Sequence, residues 1–163
     1  MEPTETLLLT RYEVAQLLTL DECITAVERA FCLHGRGKVL PPKVLGIHTN
    51  NGGFHIKAGT LGNEHNYFVA KINGNFPNNS KQFGLPTIQG IIVICDTNNG
   101  RLLALMDSIE ITIIRTGAAT AVAAKYLSVP DAKIVTIYGC GNQGRISIQM
   151  LMKVRKPEKI FVF

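Results

Sequence analysis

Lys133-Ile134-Val135-Thr136-Ile137-Tyr138-Gly139-Cys140-Gly141-Asn142-Gln143-Gly144 reads as a continuous apolar, β-branched strand that runs straight into a glycine-rich turn. The following run, Ile146–Val154, has helical spacing, and Lys159–Phe163 begins another strand. Between a strand and a helix, Gly-x-Gly-x-x-Gly gives each glycine a task. Gly139 permits the tight turn, Gly141 lets the backbone approach a pyrophosphate, and Gly144 allows the helix to pack close to the strand. The helix N-terminus then attracts the anion. The stretch therefore predicts the first βαβ unit of a Rossmann-like, dinucleotide-binding fold. Such a sheet normally has two mononucleotide halves. A lone two-strand parallel unit leaves its faces poorly covered and an edge open, so the chain is expected to be truncated, with roughly another domain of about 100–200 residues following. The acidic residue that would contact a ribose 2′-OH, about 20 positions on, would fall past Phe163, which leaves NAD and NADP undistinguished.

Upstream of this unit the pattern changes. From Asp107 the period is helical, and Gly117-Ala118-Ala119-Thr120-Ala121-Val122-Ala123-Ala124 provides small residues for close packing until Pro130 stops the helix. It reads as a connecting helix between two domains. Before it, Lys43–His48, Phe54–Lys57, Tyr67–Ile72 and Ile88–Asp96 are short apolar runs punctuated by Gly and Asn, and Asn98-Asn99-Gly100 is a hairpin turn into Arg101–Met106. The arrangement is expected to be mostly antiparallel. Thr10-x-x-Glu13 and Thr19-x-x-Glu22 have capping-box spacing, and Ile24, Val27 and Phe31 follow the second at helical intervals before Gly35 and Gly37. The expected fold is thus an α+β domain over residues 1–127, followed at 128–163 by the start of an α/β Rossmann-like domain.

Composition is that of an ordinary globular protein and excludes other classes. Of 163 residues, 46% are hydrophobic and 18% charged, which argues against extended disorder. The richest apolar run, Ile111–Leu127, is broken by Arg115 and Lys125, so no membrane span is expected. The start, Met1-Glu2-Pro3-Thr4-Glu5, lacks the basic flank of a signal peptide, and a cytoplasmic location is expected. The net charge of +5 is scattered. Its densest cluster, Lys153, Arg155, Lys156 and Lys159, has no aromatic run beside it, so nucleic acid is not an expected partner. Cys23, Cys32, Cys95 and Cys140 lie far apart, which suits buried reduced thiols, and neither a metal site nor a disulfide framework is expected.

Four cations stand out: Lys43 after Pro41-Pro42, Lys57 after Gly52-Gly53-Phe54-His55-Ile56, Lys71 in Ala70-Lys71-Ile72-Asn73, and Arg115. A cation on a half-buried strand either snorkels to water or meets an anion. Arg115, flanked by Ile111-Thr112-Ile113-Ile114 and Thr116-Gly117-Ala118-Ala119, is well placed to grip a carboxylate or phosphate through its guanidinium fork. His55 either polarises a substrate group or bonds a neighbouring carbonyl. Cys140 is read as a small packing residue, and His34, His48 and His65 have no partners at metal-ligand spacing.

Taken together, Ala70-Lys71-x-x-Gly74-x-x-Pro77-x-Asn79, Gly84-Leu85-Pro86-Thr87, Asp96-x-x-x-Gly100, Ile111-Thr112-x-x-Arg115-Thr116-Gly117-Ala118-Ala119, Ala124-Lys125-Tyr126-Leu127 and Gly139-x-Gly141-x-Gln143 occur in the order seen in the ornithine cyclodeaminase/mu-crystallin family, which the chain resembles over nearly its whole length. The resemblance implies an α+β substrate and dimerisation domain, whose sheet pairs with that of a second subunit, and a Rossmann-like domain for NAD, or NADP. It implies hydride transfer at the α-carbon of a small amino or imino acid. By position, Lys71 is similar to the lysine that contacts substrate and helps move the amine proton. Arg115 is similar to the arginine between substrate carboxylate and cofactor. Thr87, Asn142 and Gln143 are similar to cofactor-contacting residues, beside Gly139, Gly141 and Gly144. Lys43 stands where the cyclodeaminases usually carry a carboxylate-binding arginine, a departure that counts against ornithine because a point charge replaces a planar fork. Lys57 is a candidate second carboxylate contact. The family's catalytic aspartate lies downstream of this chain, so the 163 residues alone are expected to bind cofactor weakly and to lack activity. Ornithine cyclodeaminase is the leading implied activity. Alanine or other amino-acid dehydrogenase, ketimine reductase and a crystallin-like binding protein are the alternatives.

Overall fold

Residues 5–39, 41–61 and 67–163 are described here by a computed structural model. The first four residues and His65 lie outside the described residues. The chain runs β1 (Leu7–Leu9), α1 (Arg11–Leu17), α2 (Leu20–Gly35), β2 (Lys43–Thr49), β3 (Gly52–Leu61), β4 (Tyr67–Asn75), α3 (Asn79–Gln82), β5 (Ile88–Asp96), β6 (Leu102–Asp107), α4 (Ile109–Leu127), β7 (Ile134–Ile137), α5 (Asn142–Val154) and β8 (Lys159–Val162). It forms two compact units, one of residues up to Gln16 with Arg36–Glu110 and the other of Leu17–Gly35 with Ile111–Phe163.

The first unit is built on a six-stranded sheet in the order β1-β6-β5-β4-β3-β2. Strands β2 to β6 are antiparallel, and β1 adds in parallel beside β6. The Thr10 capping box forms as its spacing predicts: Glu13 Oε2 accepts the Thr10 N–H at 2.8 Å while Thr10 Oγ1 accepts the Glu13 N–H at 3.4 Å. Asp107 Oδ1 accepts the Ile109 N–H at 2.7 Å and starts α4 in the same way. Two elements escape the sequence pattern. β1 is a three-residue edge strand without alternation, and α3 is a single turn closed against the loop after it by Asn79 Nδ2 donating to the Pro86 carbonyl at 3.3 Å. β3 and β4 extend beyond the expected runs because Gly52, Gly53, Gly59 and Gly74, read as punctuation, lie inside the ladders.

In the second unit the helices supply the core. Ile24 of α2, Ile114, Ala118, Ala121 and Val122 of α4, and Ile146 and Met150 of α5 form one buried cluster. The small residues of α4 do what their size suggests: Ala118 and Ala121 are fully buried, and a Cβ at Gly117 would lie 3.1 Å from Ile146 and Met150 side-chain atoms. β7 and β8 pair in parallel through Ile134–Lys159 to Ile137–Val162, with α5 as the crossover, which is the start of a Rossmann-like unit. The basic cluster is mostly spoken for within this unit. Lys153 pairs with Asp21 at 2.8 Å, Lys159 lies 5.3 Å from the centre of the Phe161 ring, and the Arg155 guanidinium donates to the Ala124 and Lys125 carbonyls at 3.0 and 2.8 Å, closing the C-terminus of α4. Of the cysteines expected to be buried, Cys32 on α2 and Cys140 in the glycine turn are instead exposed. No helix among the described residues is long and apolar enough to cross a membrane.

Candidate functional site

The glycine turn carries three different constraints. Gly139 has φ +96°, a left-handed conformation that other residues avoid. A Cβ at Gly144 would stand 2.1 Å from the Gly139 carbonyl oxygen, so the first turn of α5 rests directly on the end of β7. Gly141, the N-cap residue of α5, meets nothing within 4 Å of its Cβ position and has ordinary extended dihedrals, φ −69° and ψ −176°. Its missing side chain leaves an approach to the backbone clear rather than relieving a clash. The first intrahelical bond is Arg145 N–H to the Gly141 carbonyl at 3.1 Å, which leaves the N–H groups of Asn142, Gln143 and Gly144 without helical acceptors. The turn is held from behind. Gly139 N–H donates to the Phe163 carbonyl at 2.8 Å, the Tyr138 and Phe163 rings stack at 5.4 Å, and Arg145 Nε donates to the Cys140 carbonyl at 3.0 Å. A fixed, open helix N-terminus of this kind fits the pyrophosphate of a dinucleotide.

Arg115 lies in the same unit on α4, exposed, between buried Ile114 and partly covered Thr116. It has no ion pair with a described residue, so its guanidinium is available to an anion.

The other candidates lie on the sheet of the first unit. Register places Lys57 of β3 directly opposite Lys71 of β4, and directly opposed residues share a face. Lys71 is partly buried and Lys57 exposed. His55 stands opposite Asn73 on that face, and the His48 and His55 rings meet edge to face at 6.4 Å. Asn73 and Ser108 carry no signal local enough to single them out from sequence alone, yet Ser108 is fully buried and its hydroxyl donates to Asn73 Oδ1 at 2.8 Å. Period-two spacing from Lys71 is the one clue that finds Asn73. Lys43 is not brought to this group. It pairs with Ala58, one position out of phase with the lysine pair, so alternation sets it on the opposite face. Thr87, partly covered, immediately precedes β5 and accepts the Phe76 N–H through its carbonyl at 2.9 Å. It lies five residues along from Ile92, the neighbour of Lys71, or about 17 Å at strand rise.

This combination has counterparts. Alanine dehydrogenase from Archaeoglobus fulgidus is 36% identical over 152 residues, 92% of this chain and 45% of that protein. The solved archaeal alanine dehydrogenase dimer with bound NAD superposes with a TM-score of 0.91 at 32% identity, covering 96% of this chain and 48% of that one. The Thermococcus litoralis Δ1-pyrroline-2-carboxylate reductase, solved with NADH and L-proline, gives a TM-score of 0.86 at 36% identity, covering 96% and 49%. The chain thus spans about half the length of the curated relatives it matches. Residues 4–163 match a single family from end to end, and the chain belongs to the ornithine cyclodeaminase/mu-crystallin family.

Proposed function

We propose that the protein is an oxidoreductase that moves hydride at the α-carbon of a small amino or imino acid, with NAD at the glycine turn. The observation that carries this reading is the open, rigidly backed N-terminus of α5, where Gly141 leaves the backbone accessible to a pyrophosphate. In this reading the backbone of Gly139, Gly141 and Gly144 with Asn142 and Gln143 holds the pyrophosphate, and Thr87 and Arg115 make further cofactor contacts. Arg115, through its guanidinium fork, and Lys71, through its ammonium, are the residues assigned to the substrate carboxylate. Lys71 also carries the proton between the substrate nitrogen and solvent. Lys57 neighbours this carboxylate site from the facing strand, and Lys43 contributes at most a peripheral contact from the other face. When bound, the dinucleotide supplies the hydride donor or acceptor. Residues 1–127 serve substrate binding and dimerisation in this division of labour, and residues 128–163 open the nucleotide domain.

Between the two enzyme branches, the sheet face favours a dehydrogenase or imine reductase over ornithine cyclodeamination. Lys57, Lys71 and His55 share one face of the sheet, and Lys43 stands where the cyclodeaminases usually carry an arginine. The sheet's other face displays Leu45, Ile47, Phe54 and Ile91, each at least 40% exposed, and is the surface we assign to a homodimer.

The test uses the full-length protein. Oxo acids with ammonia and NADH, and amino acids including L-alanine and L-ornithine with NAD, are followed by NADH absorbance together with ammonia and proline. Net NADH turnover with an amino or imino acid is the expected result. Proline and ammonia from ornithine without net NADH would replace the reading with cyclodeamination, and no reaction with any of them would sink it.

A further inference from the structure

We infer that Asn73 is a further substrate-binding residue, its side-chain NH2 donating to the carboxylate assigned to Lys71, and that Ser108 is the positioning residue that sets which end of the Asn73 amide faces the site. This rests on the reading that the lysine face of the sheet takes the carboxylate of an amino or imino acid.

Asn73 follows Lys71 at the strand period on β4, so alternation sets both on one face, and register puts Gly90 of β5 directly opposite Asn73. Glycine is required there. A Cβ at Gly90 would fall 2.5 Å from Asn73 Oδ1 and 2.1 Å from the Ile72 carbonyl oxygen, so the Asn73 side chain occupies space that any other residue at position 90 would fill. Beyond Gly90 the row ends at Ser108, the first residue after β6. Its N–H donates to the Gly90 carbonyl at 3.0 Å, and its hydroxyl donates to Asn73 Oδ1 at 2.8 Å. Three positions, in β4, in β5 and just past β6, are thus matched to hold one amide.

Two orientations of the amide reach this hydroxyl, and burial decides between them. Ser108 is fully buried, and among the described residues its hydroxyl bonds only Asn73. With Oδ1 toward Ser108, the hydroxyl proton is bonded. With the NH2 toward Ser108, the hydroxyl would accept instead, and its own proton would be left without an acceptor away from water, which is unfavourable. The first orientation is the one present, and it leaves the NH2 to the site. Asn73 is only partly covered, and its NH2 makes no hydrogen bond to a described residue. An NH2 offers donors and no lone pair, so the group it fits is an acceptor such as a carboxylate oxygen and not an ammonium. Standing about 7 Å from Lys71 at strand rise, it supplies direction where the ammonium supplies charge.

The test uses the full-length protein and a probe that binds without turnover. Calorimetry or ligand-observed NMR compares butyrate with butylamine, while pyruvate with ammonia and NADH gives kcat and KM. Butyrate should bind the wild type better than butylamine does. Asn73→Asp keeps an acceptor for the Ser108 hydroxyl but loses the donor, and it should weaken butyrate and raise the pyruvate KM by about tenfold or more, with kcat changed far less. Ser108→Ala frees the amide to turn and should raise the same KM by about three- to tenfold. Because Ser108 acts through Asn73, adding Ser108→Ala to Asn73→Ala should raise KM no further, whatever the two do to Tm. A wild type that binds butyrate no better than butylamine would overturn the assignment. So would a fall in Tm with butyrate affinity and KM unmoved by Asn73→Asp, which makes the pair scaffolding, and so would Ser108→Ala and Asn73→Ala effects on KM that simply add. Butyrate binding that depends on Asn73, in a protein that turns over no amino or oxo acid, would uphold the carboxylate contact and defeat the oxidoreductase reading instead.

Discussion

Two glycines of one turn should respond in opposite ways to the same methyl group. Gly144→Ala places a Cβ against a backbone oxygen that cannot rotate aside, and we expect a loss of about 1–3 kcal/mol in unfolding free energy. Gly141→Ala puts its Cβ into open space at permitted dihedrals, so Tm should stay within a degree or two while NAD binding to the full-length protein, followed by calorimetry, weakens. A drop in Tm for Gly141→Ala with NAD affinity unchanged would mean that the position is structural. A separate signature sits on α2 and α4. Glu28 lies below the ordinary carboxylate range, first because the Tyr126 hydroxyl bonds it and then because Lys125 does, at 2.9 Å. A depressed folded-state pKa stabilises above the ordinary value and that stabilisation disappears as pH falls through the lowered one, so the contact should fade only in acid. NMR titration of Glu28 should show the depression, and Tyr126→Phe should move it upward; an unchanged value would remove Tyr126 as the main cause. At this scale the glycine turn was readable because each requirement is local. The face taken by Lys43 was not, because it depends on the register that β2 adopts against β3.

Elements were readable where they announce their own ends. The capping boxes at Thr10 and Thr19, the turn at Asn98-Asn99-Gly100 and the stop before Pro130 all act within a few residues of chain, and the corresponding helices and strands appear as their spacing predicts. β1 was unreadable for the opposite reason. Three leucines carry no period, and only pairing with Ala104, Leu105 and Met106 of β6 makes them a strand. The end of α4 shows a similar long-range device. Ser128 is within the local reach of any sequence reading, but Arg155, which reaches back to the Ala124 and Lys125 carbonyls and donates from Nε to Ser128 Oγ at 3.2 Å, is supplied by the chain after α5. Charge-assisted bonds to the Ala124 carbonyl, which the Ser128 hydroxyl also engages at 2.6 Å, and to the Lys125 carbonyl make this cap worth about 1.5–3 kcal/mol. Arg155→Ala should lower the unfolding free energy by that order in denaturant titration, whereas exposed Lys156→Ala should leave it unchanged. Equal effects of the two substitutions would show that the cluster acts through net charge alone.

For the molecule as a whole, the decisive feature is the inequality of the two sheet faces. One carries Lys57, Lys71, His55 and Asn73, with the buried Ser108 hydroxyl bonded to Asn73. The other carries Leu45, Ile47, Phe54, Ile56, Ile72 and Ile91 in register across four strands, and near its end Phe83 and Leu85 line the same trough as Phe54 and Ile72. Contiguous aliphatic and aromatic side chains of this extent are costly to leave in water, and self-association through a twofold axis covers them with a copy of themselves. A stable contact needs about 800 Å² from each partner, which a face four strands wide can provide. The homodimer we propose therefore depends on this face and not on the lysine face. Ile47→Lys combined with Phe54→Lys should convert the full-length protein to a monomer in light scattering, while Val44→Ser, which removes an exposed apolar group from the lysine face, should leave the mass unchanged. Should the double lysine variant keep the dimer mass, the apolar face is not the interface and the pairing must run through another surface.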